Sequence, residues 1–219
     1  MITPKERIIK VFNKEIVDRP PCICPGGMMN MITTELMDKV NIFWPNAHLN
    51  GEKMAQLAKA NYENGCFENY GVPFCMTIEA ESLGAKITLG SKEFAVKYIN
   101  KIIENLQTEK IGTIVHICGQ MRSVYKEVNM INSDVFSFDS IVSMKNAREN
   151  LPNRILMGNI STYALEFGTS DKISSLTNKC IKDGSNIISP ACGLGTKSPL
   201  KNIQSILNTL KQEETKINA

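Results

Sequence analysis

Residues 113–119 read Thr-Ile-Val-His-Ile-Cys-Gly. The β-branched residues Thr113, Ile114, Val115 and Ile117 predict a strand, and Gly119 ends it. The same pattern recurs downstream. Val135-Phe136-Ser137-Phe138 stops at Asp139, Ile155-Leu156-Met157 at Gly158-Asn159, and Ile187-Ile188 at Pro190-Ala191-Cys192-Gly193. Helical stretches separate these runs; one spans 170–182 with Gly184 as its cap, and the last starts at Ser198-Pro199. Short apolar strands alternating with helices are what a parallel sheet buried on both faces requires, so the fold class is α/β. Each run ends on a polar or reactive residue: Cys118, Asp139, Asn159 or Cys192. A (β/α) TIM-barrel-like fold builds its active site from those strand ends.

Upstream, Thr3, Pro4 and Glu6 supply an N-cap, a first-turn proline and a capping-box glutamate ahead of Ile8, Ile9, Val11 and Phe12. Asp18-Arg19-Pro20-Pro21 feeds the run Cys22-Ile23-Cys24, which opens into Pro25-Gly26-Gly27. Residues 51–64 predict an amphipathic helix, and 68–76 a second short strand. Six strands result: 20–24, 69–76, 113–118, 135–138, 155–157 and 187–190.

A chain of 219 residues can bury one sizeable core. Its formal charge of +3 is weak and scattered, which leaves no footprint for nucleic acid or an anionic membrane. The N-terminal MITPKERIIKVF is not a signal peptide, and no stretch approaches the roughly 18 apolar residues of a membrane span. The expectation is a cytoplasmic protein. Seven cysteines without a secretion signal point to free thiols or a metal site rather than disulfides. Cys22, Cys24, Cys66, Cys75 and Cys180 read as small buried hydrophobes. Met28, Met29 and Met31 form a cluster able to line a pocket.

His116 and Cys118 are two apart on a strand and so point to the same side. Cys192 ends the last strand, which lies beside the first in a barrel. One histidine and two cysteines make three legs of a tetrahedral zinc site with an open fourth position, the arrangement of catalytic zinc. The spacing fits equally a buried His and Cys in a strand.

HICG after a β-branched strand, followed by SFD, GN and PACG, resembles the uroporphyrinogen decarboxylase superfamily. Within it, the pattern is similar to the methylcobamide:coenzyme M methyltransferase branch. VDRPP, TTELMDKVNIFWPNAH and FENYGVPFCMTIEAESLGAKITLG extend the resemblance over most of the chain. The resemblance implies zinc held by His116, Cys118 and Cys192. It also implies transfer of a methyl group from methylcobalamin or another corrinoid, carried by a small corrinoid protein partner, to a thiol such as coenzyme M. Asp139 is the candidate to orient His116 through its second ring nitrogen. Glu79, with Glu81, reads as a catalytic-face carboxylate, either a fourth ligand or a pocket wall, against a solvated loop acid. His48 in WPNAH reads as a loop hydrogen-bonding group.

Two departures qualify the resemblance. The decarboxylase branch should carry arginines soon after the first strand, whereas this chain has none between Arg19 and Arg122; carboxy-lyase activity is therefore the alternative, not the first reading. A (β/α)8 barrel also needs about 250 residues. The third and fourth strands are expected to be absent, as an internal deletion near 91–98 of a single domain spanning 1–219. The incomplete barrel, with about six of eight strands, would leave open edges that favour a homo-oligomer. It also admits a non-catalytic paralogue that binds zinc or a partner.

Overall fold

A computed structural model describes residues 2–24, 31–43, 46–71, 92–106 and 112–217. Helix α1 (Pro4–Phe12) starts on the capping box that the sequence predicts: the Glu6 N–H donates to Thr3 Oγ1 at 3.2 Å, and the Thr3 N–H donates to the Glu6 carboxylate at 2.7 Å. Helices α2 (Thr34–Val40), α3 (Asn46–Leu49), α4 (Gly51–Glu63) and α5 (Lys92–Leu106) precede the first strand, β1 (Ile114–Ile117). Then follow α6 (Tyr125–Val128), β2 (Val135–Phe138), α7 (Met144–Asn150), β3 (Ile155–Met157), α8 (Thr162–Phe167), α9 (Ser170–Lys182) and α10 (Leu200–Ile217).

The three strands form a parallel sheet in the order β1-β2-β3, with His116 opposite Ser137 and Ser137 opposite Met157. Single parallel bridges carry the order further, from Met157 to Ile187 and from Ile188 to Cys22. The expected strands at 187–190 and 20–24 are thus present as neighbours but reduced to bridges. Pro190, Pro20 and Pro21 have no N–H to donate, which interrupts those ladders. Of the expected strand 69–76, residues 72–76 lie outside the described residues. Where the chain is described there, Asn69 replaces a backbone pair with its side chain: its amide accepts from the Cys24 N–H and donates to the Cys24 carbonyl, both at 3.0 Å.

Side chains alternate across this sheet with period 2; β2 and β3 are buried on both faces, while β1 is half-buried with Ile114 exposed. Phe136, Phe138 and Leu156 face outward against α6 and α7. Cys22, Cys24 and Ile188 face α2, α4, α9 and α10. Val135, Ile155, Met157, Ile187 and Ile23 form the inner face, where Ile8, Val11 and Phe12 of α1 pack. Met31 is a core residue, at 2% exposure; Met28 and Met29 lie outside the described residues. The thiols of Cys22, Cys24, Cys66 and Cys180 are buried, and burial pushes all four up, Cys66 to about 12. Cys75 lies outside the described residues. No helix among the described residues is long and apolar enough to cross a membrane.

An ionic network joins α1 to the sheet. Arg7 holds both Asp18 carboxylate oxygens at 2.7 Å. Its hydrogen bond keeps the Asp18 carboxyl down at about 2. A depressed carboxyl stabilises the fold above its unfolded value of about 4. That contribution is lost as pH falls from about 4 through 2. Wild type should therefore exceed Asp18→Asn by about 2 kcal/mol at neutral pH, with the gap closing across that window. Urea unfolding at stepped pH checks this; a gap that stays constant down to the lowest pH would contradict it.

Candidate metal centre

β1 delivers His116 to the inner face of the sheet, and Cys118 follows as the strand runs out. Gly119 then turns the chain at φ +95°, a conformation that side-chain-bearing residues rarely adopt. Cys192 is positioned by the segment before it: the Ile160 N–H donates to the Ser189 carbonyl at 3.0 Å, and the Ala191 N–H to the Ile160 carbonyl at 2.8 Å. The last segment, 187–190, lies three neighbours away from β1. A flat sheet would separate them by roughly 14 Å at the usual strand spacing. The two sulfurs are nevertheless 3.9 Å apart, because the sheet is rolled and inner-face side chains converge at its end.

His116 Nε2 lies 3.1 Å from Cys118 Sγ, and one ligand atom from each of His116, Cys118 and Cys192 lies within 4.8 Å of the others. No other group of three His, Cys, Asp or Glu side chains comes this close among the described residues. Tetrahedral zinc at the usual bond lengths needs donor separations of about 3.8 Å between sulfurs and about 3.5 Å between nitrogen and sulfur. The sulfur pair already meets this, and the His116–Cys118 pair meets it after a few tenths of an ångström of side-chain rotation. His116 is half-buried while both cysteines are exposed.

Burial pushes the His116 imidazole below its usual range, and the Asp139 carboxylate pulls it partly back. A neutral imidazole is the form that ligates a metal. Burial, then the neighbouring Cys192, raises the Cys118 thiol. Two thiolates this close repel each other, and a cation between them would remove that cost.

The expected role of Asp139 needs correction. The second ring nitrogen of His116 meets Ser137 Oγ at 3.0 Å. The Asp139 carboxylate instead accepts from the Ser140 hydroxyl and the Ile141 N–H, which fixes its own loop. Asp139 therefore acts on His116 only through space. Asn159 anchors the same loop by donating to the carbonyls of Asp139 and Val142. Ser137 is the residue that the sequence reading passed over; a lone hydroxyl in the otherwise apolar VFSF was its signal. Glu79 and Glu81 lie outside the described residues, as does the His48 side chain.

The family model for uroporphyrinogen decarboxylase (URO-D) matches residues 3–93 and 91–213. A methylcobamide:CoM methyltransferase, MtbA, of Methanosarcina acetivorans is 21% identical over 334 positions, covering 95% of this chain and 98% of the relative. MtbA of Methanosarcina mazei is 35% identical over 148 residues, 62% of this chain and 43% of the relative. MtaA of Methanosarcina barkeri is 40% identical over 90 residues, 41% of this chain and 26% of the relative. The last two matches span less than half of the relatives' own length. A solved methyltransferase from Methanosarcina mazei shares the fold at a TM-score of 0.77 and 19% identity, with 100% of each chain covered. The chain belongs to the uroporphyrinogen decarboxylase family and is homologous to the methylcobamide:CoM methyltransferases of Methanosarcina.

Proposed function

We propose that this chain is a zinc-dependent methyltransferase that moves a methyl group from a methylated corrinoid protein to a thiol such as coenzyme M. The observation that carries this reading is the convergence of His116, Cys118 and Cys192 at an exposed strand end. The names of the homologous relatives support the reaction class. Decarboxylation fits less well, because Arg7 and Arg19 are both bound to buried carboxylates and are not available to a substrate.

His116, Cys118 and Cys192 would hold the zinc. Bound zinc supplies a cation that favours the thiolate of a substrate thiol at neutral pH, and the thiolate is the nucleophile. The residues of the chain set how strongly. Cys118 and Cys192 as thiolates contribute two negative charges that offset a divalent cation, which keeps an added sulfur electron-rich. His116 stays neutral through burial and adds no charge. The exposure of both cysteines leaves room for a thiol from solvent and for a corrinoid protein docked at the strand-end face.

We further infer that the barrel lacks an internal segment near 91–98. The two stretches matching the family model overlap at 91–93. The alignment to the Methanosarcina acetivorans relative runs over 334 positions against the 219 residues present here. All three ligands come from the part after that junction. On this reading the metal site survives, while the walls that position the reactants are incomplete. Misplacing reactants by about 1 Å can cost roughly 100-fold in rate. Zinc content and methylcobalamin demethylation by a thiol should be measured on one preparation. The expected result is about one zinc per chain and turnover roughly 100-fold below that of a full-length relative. Turnover equal to the relative would refute the impairment; absence of both zinc and turnover would refute the function.

A further inference from the structure

We propose that Ser137 is the positioning residue for His116, and that its hydroxyl reverses its hydrogen bond when the metal binds. The inference rests on the metal site proposed above. Ser137 lies on the inner face of β2, fully buried between Val135 and the neighbouring strand's Met157. A hydroxyl placed there without a partner loses its hydration with nothing in return. Register puts His116 directly opposite it, and the Nδ1 of His116 is its hydrogen-bond partner at 3.0 Å. Among the described residues the Ser137 hydroxyl meets no other polar group, so its place in an apolar strand is explained by the imidazole alone.

The chemistry of the pair depends on which ring nitrogen carries the proton. Nε2 lies 3.1 Å from Cys118 Sγ, and in the proposed metal-free state it carries the ring proton. Nδ1 then carries a lone pair and accepts from the Ser137 O–H. When Nε2 gives its lone pair to a metal, the single ring proton must sit on Nδ1, which now donates to Ser137 Oγ. The imidazole stays neutral throughout; only the position of its proton changes. A hydroxyl can serve both states because it donates and accepts, whereas a carboxylate only accepts. Ser137 therefore holds the ring in one orientation before and after loading. It also adds no negative charge next to two thiolates, where a carboxylate would overcompensate a divalent cation.

The test compares wild type, Ser137→Ala and Ser137→Thr. Zinc dissociation constants come from competition with a chromogenic chelator. Imidazole ¹⁵N spectra report the tautomer, and the chain has only two histidines, so a His48→Gln variant assigns them. In wild type the protonated nitrogen of His116 should move from Nε2 to Nδ1 on zinc loading. In Ser137→Ala the zinc dissociation constant should rise about 10–100-fold, the usual effect of losing an outer partner of a ligating histidine. Metal-free Ser137→Ala should also show a mixed tautomer population, which a merely structural loss would not produce. Ser137→Thr keeps the hydroxyl and should restore both readouts. Wild-type zinc affinity in Ser137→Ala, or an unchanged metal-free tautomer, would overturn the role of Ser137 while leaving the metal site standing. Failure of wild type to bind zinc would overturn the metal site instead, and the metal-free spectra would still judge the Ser137 contact.

Discussion

Cys192→Ala protein, loaded with zinc and then dialysed, will retain almost none of the metal, whereas wild type will retain about one zinc per chain. Three ligands are the minimum that holds zinc with an open fourth position, and removal of one leaves only the His116–Cys118 pair from a single strand. That pair spans 3.1 Å and comes from residues two apart, so it grips one side of the ion. Cys192 supplies the opposite side from the far end of the sheet order, 3.9 Å from Cys118. As a zinc-bound thiolate it would also supply half of the negative charge that offsets a divalent cation. Because Cys192 is exposed, its truncation should leave folding intact. Circular dichroism separates loss of metal from loss of fold. Cys180→Ala is the matched control: that thiol is buried, far from ionising, and bonded to Asn159, so zinc content should not change. Full zinc retention in Cys192→Ala would remove this residue from the site. Equal loss in both variants would place the metal elsewhere.

What the sequence discloses here follows from the range of the forces involved. The strands at 114–117, 135–138 and 155–157 are legible because consecutive apolar residues register burial on both faces. Helix α1 is legible because Thr3, Pro4 and Glu6 act within one turn. His116 and Cys118 share a strand, so their common side can be read from period 2. Cys192 can be joined to them only through the order and rolling of the sheet, which no local pattern contains; there the family resemblance supplied what spacing could not. Ser137 escaped for a related reason. Its partner is set by strand register, and a carboxylate one residue beyond the strand, Asp139, looked like the better acceptor for a histidine. Arg7, Arg19 and Glu68 escaped as well, since charged residues ordinarily sit at the surface, and the separation of 49 positions between Arg19 and Glu68 hides the pairing.

That last network carries the largest stability effect. Glu68→Ala should destabilise the fold by about 3–5 kcal/mol, the usual result of removing one partner from a buried ionic cluster. The side chains of Arg7, Arg19 and Glu68 are 3%, 4% and 6% exposed. Glu68 accepts from Arg7 at 3.0 Å, from Arg19 at 2.7 and 2.9 Å, and from the Cys22 N–H at 2.8 Å. Burial by itself pushes the Glu68 carboxyl up, but the hydrogen bonds from Arg19 and Cys22 more than reverse this, so the net shift is down. Truncation would take the Glu68 carboxylate away from two buried guanidinium groups, of which Arg7 keeps Asp18, and would remove the acceptor of the Cys22 N–H. Urea unfolding measures the loss; a midpoint within about 1 kcal/mol of wild type would show that water replaces the carboxylate at little cost. Replacing Arg19 and Glu68 together by apolar residues should cost less than Glu68→Ala alone, because the only buried charge that then loses a Glu68 contact is Arg7, which keeps Asp18. The effect should also reach the metal centre. Glu68 fixes Cys22, and the next residue, Ile23, donates to the Ile188 carbonyl at 3.0 Å on the segment that ends in Cys192. A strand loosened at Glu68 therefore loosens the support of one ligand, and zinc affinity in Glu68→Ala should fall even under conditions where the chain remains folded.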